Sequence, residues 1–371
     1  MLAITNKELI MLEKAAHEFS RKVLFPEREN NDKFPFGPFF QSTFEKAFDL
    51  DFFHTILPES IGGLGHGMTA LCVLLESICT EDSSLGGIIF THSAAMNLML
   101  ATGSQKELGP IMAKKNINDV LIAIPVFNNP SETNHLPEAV PDGETYCLSG
   151  PVDYLTLGGI AGHAIVAAKT KNKTGYSFFL VDLSQAGIRK SDPVLSLGLR
   201  ACPSVDTRFE KVPARLIGEE GKGPDYFNKM ADRMHTAAAA MSLGIMKGSF
   251  KEALDYGKKR DQGGRKIIQW SEMKMILGNM AVQIKVSDMI VTQSCNAVDN
   301  RDKDWEAGSR AAALHVQSLA CDLTTDGVQA MGGVGYMKDF GQEKRFRDAK
   351  QLQALLGMCP VKKIRYLEKM I

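Results

Sequence analysis

The apolar residues of this chain change period twice, and that change limits the folds open to it. Up to about residue 117 they recur at threes and fours. Leu9, Leu12, Ala16, Phe19 and Val23 form one stripe, the spacing of one face of an amphipathic helix. Thr5-x-x-Glu8 ahead of it fits a capping box. Two apolar helical runs follow, at about 69–80 and 85–102, and Gly103 marks the end of the second. Between 118 and 215 the runs shorten. Segments 120–124, 146–148, 163–166 and 176–181 are rich in β-branched and aromatic residues. Turns such as Pro141-Asp142-Gly143-Glu144 divide them, as in a small antiparallel β domain. From 223 to 371 the helical period returns, with a long run over 225–259 that contains Ala237–Ala240, strong helix formers. The expected fold class is α+β, with a helical domain over 1–117, a β domain over 118–215 and a helical bundle over 223–371.

Composition narrows the function classes. Of 371 residues, 44% are hydrophobic and 23% charged, which excludes disorder as the main state. Lys+Arg and Asp+Glu are 43 each, so the chain lacks the basic surplus of a nucleic-acid binder. An odd count of seven cysteines with no C-x-x-C pair points to free thiols in a reducing compartment. The opening Met-Leu-Ala-Ile-Thr-Asn-Lys-Glu does not read as a signal peptide. No apolar run reaches the roughly 20 residues of a membrane span. The expectation is a cytoplasmic protein. The eight histidines never pair at i, i+4, so no metal site is expected. H-E-x-x-H, G-x-S-x-G and Walker A motifs are absent. Neither Gly62–Gly67 nor Gly332-Gly333-Val334-Gly335 fits G-x-G-x-x-G after a strand.

Five segments, in order along the chain, resemble the acyl-CoA dehydrogenase family. Leu57-Pro58-Glu59-x-x-Gly62-Gly63-Leu64-Gly65 is similar to the family's N-terminal loop, and Gly150-x-x-x-Tyr154-Leu155-Thr156 to its flavin-facing G-x-K-x-W-I-T segment. Arg260-Asp-Gln-Gly-Gly264 resembles the R-x-x-F-G turn. Asp326-Gly-Val-Gln329-Ala-Met-Gly332-Gly333-Val-Gly335-Tyr336 resembles D-x-x-Q-x-x-G-G-x-G-[YF], and Arg347-Asp348-Ala349-Lys350 the R-D-A-K that follows it.

The resemblance implies an N-terminal helical domain, a middle β domain and a C-terminal four-helix bundle, assembled as a homotetramer or homodimer with FAD between subunits. It implies an acyl-CoA substrate and an electron-transfer flavoprotein as electron acceptor. Tyr154 stands where an aromatic ring packs on the flavin, and Thr156 where a hydroxyl reaches its edge. Arg260 stands where a guanidinium meets the FAD pyrophosphate of a neighbouring subunit, a donor fork suited to phosphate. Gln329, Gly332 and Gly333 stand where the adenosine half is held. Each also has a plain structural reading: a core tyrosine, a strand threonine, a helix-end arginine, a helix cap.

The departures bear on chemistry. Where the family has T-E-P-x-x-G-S-D, this chain reads Ile124-Pro-Val-Phe-Asn-Asn-Pro-Ser131, and Gly263 replaces the phenylalanine of R-x-x-F-G. The position of the usual catalytic glutamate is Leu356, and the alternative position on the first long C-terminal helix is Met234. Neither accepts a proton. Asp232, His235 and Glu132 are the titratable groups that remain, and Asp232 is the candidate for a relocated base, although it reads first as an exposed helix carboxylate. The expectation is an FAD-dependent oxidoreductase on a CoA thioester with a relocated base or an altered elimination. The alternative is a catalytically degenerate subunit that pairs with an active paralogue and helps form a shared FAD site.

Overall fold

A computed structural model describes residues 7–34, 38–171, 173–368 and 370–371. Thr5 of the expected capping box lies outside them. The N-terminal part is helical: α1 (Lys7–Phe19), α2 (Phe25–Asn31), α3 (Pro38–Asp49), α4 (Met68–Cys79), α5 (Ser83–Ala101), α6 (Gln105–Met112) and α7 (Ile117–Val120). Asp82 caps α5 by accepting the Ser84 and Leu85 amides, which satisfies two orphan donors of the first turn. With 19 residues, α5 is long and apolar enough to cross a bilayer by composition, yet 89% of that window is buried inside the protein. It is the central core helix of this part.

The middle part holds β1 (Ile122–Ala123), β2 (Glu138–Asp142), β3 (Thr145–Thr156), β4 (His163–Thr170), β5 (Ser177–Asp182), β6 (Ile188–Lys190) and β7 (Ser204–Ile217). The order β4-β2-β3-β7-β5 closes on itself through a β4–β5 pairing, giving a barrel with β1 and β6 attached to β4 and β7. Most pairings are antiparallel, as the sequence pattern implies, but β1 and β2 both meet β4 in parallel. Burial alternation is the same for either direction, so the pattern does not separate them. Along β7, Val205, Thr207 and Phe209 turn inward while Asp206, Arg208 and Glu210 face solvent.

The C-terminal part is a bundle of α8 (Gly223–Lys259), α9 (Ser271–Asn300), α10 (Trp305–Met331) and α11 (Gln342–Leu352), closed by α12 (Cys359–Glu368). A short hairpin, β8 (Asp261–Gln262) with β9 (Arg265–Lys266), joins α8 to α9. The middle of α8 is buried all round, with Ala237–Ala240 fully enclosed. Gly244 and Gly248 lie one turn apart where α8 crosses α4. A Cβ at either would collide with the carbonyl oxygens of Glu76 and Thr80. Helical propensity favours alanine there, but the backbone contact forbids it.

His92 on α5 is wholly enclosed. Its Nδ1 accepts the Ile122 amide at 3.2 Å, tying α5 to β1. Burial, assisted by His54, pulls its pKa from 6.5 to about 3. The unfolded side chain therefore takes up a proton first as pH falls. Stability should drop by about 1.4 kcal/mol per pH unit from this residue, from pH 6.5 downward. A His92→Gln variant should show a shallower acid limb when urea-unfolding free energies are compared between pH 6.5 and about 4.5. An unchanged slope would reject the assignment.

Candidate functional site

The site residues lie on three structures: the end of β3, the turn after α11, and the two ends of the C-terminal bundle. At β3 the pairing with β7 slips between Val152 and Leu155. Tyr154 takes up the slip at φ +53°, a left-handed conformation that costs an aromatic residue about 1–3 kcal/mol. Asp206 Oδ1 holds it by accepting the Tyr154 amide at 3.0 Å. The bulge turns the tyrosine outward, 47% exposed, and Thr156 inward, with no exposure. The Thr156 hydroxyl accepts from Ser204 Oγ at 3.2 Å and lies 3.4 Å from the Tyr154 carbonyl oxygen. An aromatic face is open at this place, while the hydroxyl is engaged inside the protein.

The rebuilt loop and the turn after α11 are latched together. Ile124, Val126 and Leu356 are each 2% exposed. Leu356 adopts φ +62° and donates its amide to the Val126 carbonyl at 2.6 Å. Glu132 Oε2 accepts the Met358 amide at 3.3 Å, and Arg365 lies 3.6 Å from Oε1. Lys362 reaches the Gln353 and Leu355 carbonyls at 3.0 and 2.8 Å. Burial draws its ammonium down to about 8, against the opposing pull of Cys359 and Glu132. Leu356 thus sits in a closed turn, its side chain buried and its amide bonded to Val126.

Asp232 is not an exposed carboxylate. It is buried, and its Oδ1 accepts from the Arg310 guanidinium of α10, also buried. A buried carboxylate on a helix needs such a partner, and Arg310 supplies it from the facing helix. Asp232 nevertheless borders a cavity of about 500 Å3, lined also by Asn97, Lys229, Arg233, Arg301, Trp305 and Glu306. The Arg233 Nε is buried without a hydrogen-bond partner, and burial draws that guanidinium below its ordinary value. Met234 is fully enclosed, with Asn97 Nδ2 donating to its sulfur at 3.3 Å. His235 is buried as well.

Arg260, Gln329 and Gly332 come together. They line one groove of about 490 Å3 between the β8–β9 hairpin and the C-terminal end of α10, with Gln262, Gly263 and Trp270 on the hairpin side. Arg260 and Gln329 are exposed. Gly332 (φ +59°) and the adjoining Gly333 have open space where a Cβ would stand, so a ligand can approach bare backbone there. Gly335 is different: a Cβ would strike the Val328 carbonyl, so that glycine serves the helix end. A guanidinium, a side-chain amide and uncovered backbone suit the phosphate and nucleoside portion of FAD. Among the described residues, no cluster of His, Cys, Asp and Glu could hold a metal.

Sequence reasoning missed Arg310, Ser204 and Trp270. Only the last had a signal: with Gly263 in place of an aromatic, another ring could be sought nearby, and Trp270 is seven positions on.

Comparison with known proteins bears on the family and the fold. The family description "Acyl-CoA dehydrogenase, N-terminal domain" matches residues 6–108, and "Acyl-CoA dehydrogenase, C-terminal domain" matches 221–363. The chain is 27% identical to cyclohex-1-ene-1-carbonyl-CoA dehydrogenase of Syntrophus aciditrophicus, over 83% of this chain and 77% of that one. It is 25% identical to the caffeyl-CoA reductase-Etf complex subunit CarC of Acetobacterium woodii, over 95% and 96%. Butyryl-CoA dehydrogenase from Megasphaera elsdenii superposes with a TM-score of 0.88 over 100% of both chains, at 21% identity, which speaks to the fold.

Proposed function

Since this chain belongs to the acyl-CoA dehydrogenase family, and so is an FAD-dependent oxidoreductase of that type, we propose that it acts on CoA thioesters as one subunit of an assembly with a shared flavin site. It lends the nucleotide groove and a CoA-binding cavity, and a paralogous subunit supplies the proton acceptor. The observation that carries this reading is the closed turn at Leu356. An aliphatic side chain stands there, its amide is committed to Val126, and the carboxylates of Glu132 beside the turn and of Asp232 on α8 already accept hydrogen bonds from Met358 and Arg310.

FAD, when bound, supplies hydride acceptance from the acyl chain. This chain's residues would hold the cofactor and the thioester, while the paralogous subunit would take the proton. The Arg260 guanidinium meets the pyrophosphate across the subunit boundary, and the Gln329 amide with the Gly332–Gly333 backbone holds the adenosine portion. Tyr154 offers its open ring face to the flavin, and Thr156 shapes the strand beneath it. Lys229, Arg233 and Arg301 give the 500 Å3 cavity a cationic rim beside the Trp305 indole, chemistry that recognises a phosphate-bearing nucleotide such as the CoA end of a thioester. The substrate class is supported by the cyclohex-1-ene-1-carbonyl-CoA dehydrogenase relative. The name of the caffeyl-CoA reductase-Etf relative supports an electron-transfer flavoprotein as redox partner.

Purified alone, the chain should hold well under one FAD per subunit, and no acyl-CoA should bleach it anaerobically. With its paralogue it should hold flavin that a thioester reduces. Arg260→Ala should then weaken FAD retention by roughly 10–100-fold, the value of a charge-assisted contact. A stoichiometric flavin in the isolated chain, bleached by a thioester, would overturn the shared-site reading. It would favour a second one, which the position of Asp232 on the cavity wall supports: turnover with Asp232 as base, abolished in Asp232→Asn while FAD stays bound.

A further inference from the structure

A cavity of about 710 Å3 opens between α1, the turn into α2, the end of α4 and the middle of α8. It shares no lining residue with the nucleotide groove or with the cavity beside Asp232. Between α1 and α2, Ser20–Leu24 form a π-helical turn, a widened coil found often at functional places. Ser20 Oγ donates to the Ser77 carbonyl at 2.9 Å, which ties that turn to α4. The wall on this side carries Ile10 and Phe25, 49% and 45% exposed. On the opposite wall, Gly248 of α8 lies so close to the Thr80 carbonyl that a Cβ has no room, so that wall is fixed backbone. The charges around the cavity fall into two groups. Its carboxylates are answered: Glu18 meets Lys22 at 2.9 Å, Glu81 meets Arg345 at 3.1 Å, and Glu13 lies 3.9 Å from the His17 ring. Lys247 and Lys251 are held by Asp288 at 2.8 Å and Asp255 at 3.6 Å. Lys14 and Arg21 also line the cavity, but among the described residues neither has an ion-pair partner within 4 Å. Lys22 holds the Glu18 carboxyl below its ordinary value, with Lys14 and Arg21 adding a smaller pull.

We propose that this cavity binds a fatty carboxylate, with the alkyl chain along Ile10 and Phe25 and the head group between Lys14 and Arg21. Three physical points carry the inference. Two large apolar side chains half open to water inside one concavity gain from covering by an alkyl chain. A guanidinium offers a carboxylate two parallel donors, and an ammonium beside it adds a second positive charge. The volume falls in the range of small-molecule sites, which pair apolar walls with a few polar groups. A neutral hydrocarbon would leave both cations unanswered, and a nucleotide would set its phosphates against the apolar wall. The site needs neither the flavin nor the paralogous subunit, so it is separate from the function proposed above.

Calorimetric titration of the full chain with decanoate, kept below its micelle concentration, should saturate at about one molecule per chain. Decanol, which keeps the chain and lacks the charge, should bind about tenfold or more weakly. The double variant Lys14→Gln with Arg21→Gln should lose decanoate by a similar factor, and Phe25→Ala by about threefold to tenfold. All three side chains are exposed, so the variants should fold, which circular dichroism checks. Free CoA in excess should not displace decanoate. Wild-type affinity in the folded double variant would overturn the proposal, and so would displacement by CoA, which would put decanoate in the thioester site. A wild-type titration that does not saturate would overturn it as well. If phosphatidylglycerol vesicles then bind the protein, the apolar wall serves a lipid surface instead. None of these results touches FAD retention or thioester reduction, so this site and the shared flavin site stand or fall separately.

Discussion

Replacing Asp348 with alanine is expected to lower the unfolding free energy by about 3–5 kcal/mol, the range for removing one partner from a buried ion pair. Asp348 is 1% exposed. Its Oδ1 accepts the Leu199 amide at 2.8 Å and its Oδ2 accepts from Lys344 at 2.6 Å. Lys344 is buried too, with Asp82 at 3.7 Å as its second counter-charge. Burial alone would pull its ammonium down, yet Asp348 and Asp82 together hold it above the ordinary lysine value. The loss therefore leaves a buried cation half-compensated and a buried amide without its acceptor. It also loosens α11 from the loop ahead of β7, leaving there the bond from Arg347 to the Leu197 carbonyl at 3.0 Å. Asp348→Asn keeps an acceptor for Leu199 and should lose less. Urea unfolding followed by circular dichroism checks both, and an alanine variant within about 1 kcal/mol of wild type would show that the network is not needed.

The second large effect is expected at Arg310. Both it and Asp232 have side chains 8% exposed, so Arg310→Met should destabilise by about 3–5 kcal/mol, again by removing a buried charge's partner. The double variant Arg310→Met with Asp232→Leu should be closer to wild type than Arg310→Met alone, because two apolar groups of similar volume replace the pair. Additive losses across the four proteins would mean that the two residues do not act together. The same set reports on function. If Asp232 serves structure, the double variant keeps the assembly's FAD content and turnover, whereas a catalytic Asp232 would silence it irrespective of stability.

Much of the architecture was legible because its signals are local. The stripe from Leu9 to Val23 and the short β-branched runs between 120 and 181 each report on neighbours a few positions away, and the elements formed where the period indicated except in the run 120–124, where Val120 ends α7 and only Ile122–Ala123 is strand. The placement of Tyr154 outward and Thr156 inward was not legible. It depends on a slip between β3 and β7, whose partners Tyr154 and Asp206 lie 52 positions apart. Asp232 reads as a surface carboxylate on its own helix. Its partner, 78 positions on, lies on a different helix, and no window of sequence joins them. Six of the site residues were named from motif order, but the common groove of Arg260, Gln329 and Gly332 exists only because the hairpin after α8 is folded against the end of α10.

The sequence by itself determined the helix–barrel–helix plan, the family, and the absence of a proton acceptor at positions 234 and 356, because periodicity and residue identity are properties of the chain alone. Only the tertiary structure decided that Leu356 is latched to Val126, that Asp232 is paired with Arg310, and that the Trp270 indole lies against the turn at Gly263. Each of these is a contact between residues brought together by packing, and its energy depends on burial that no local pattern encodes.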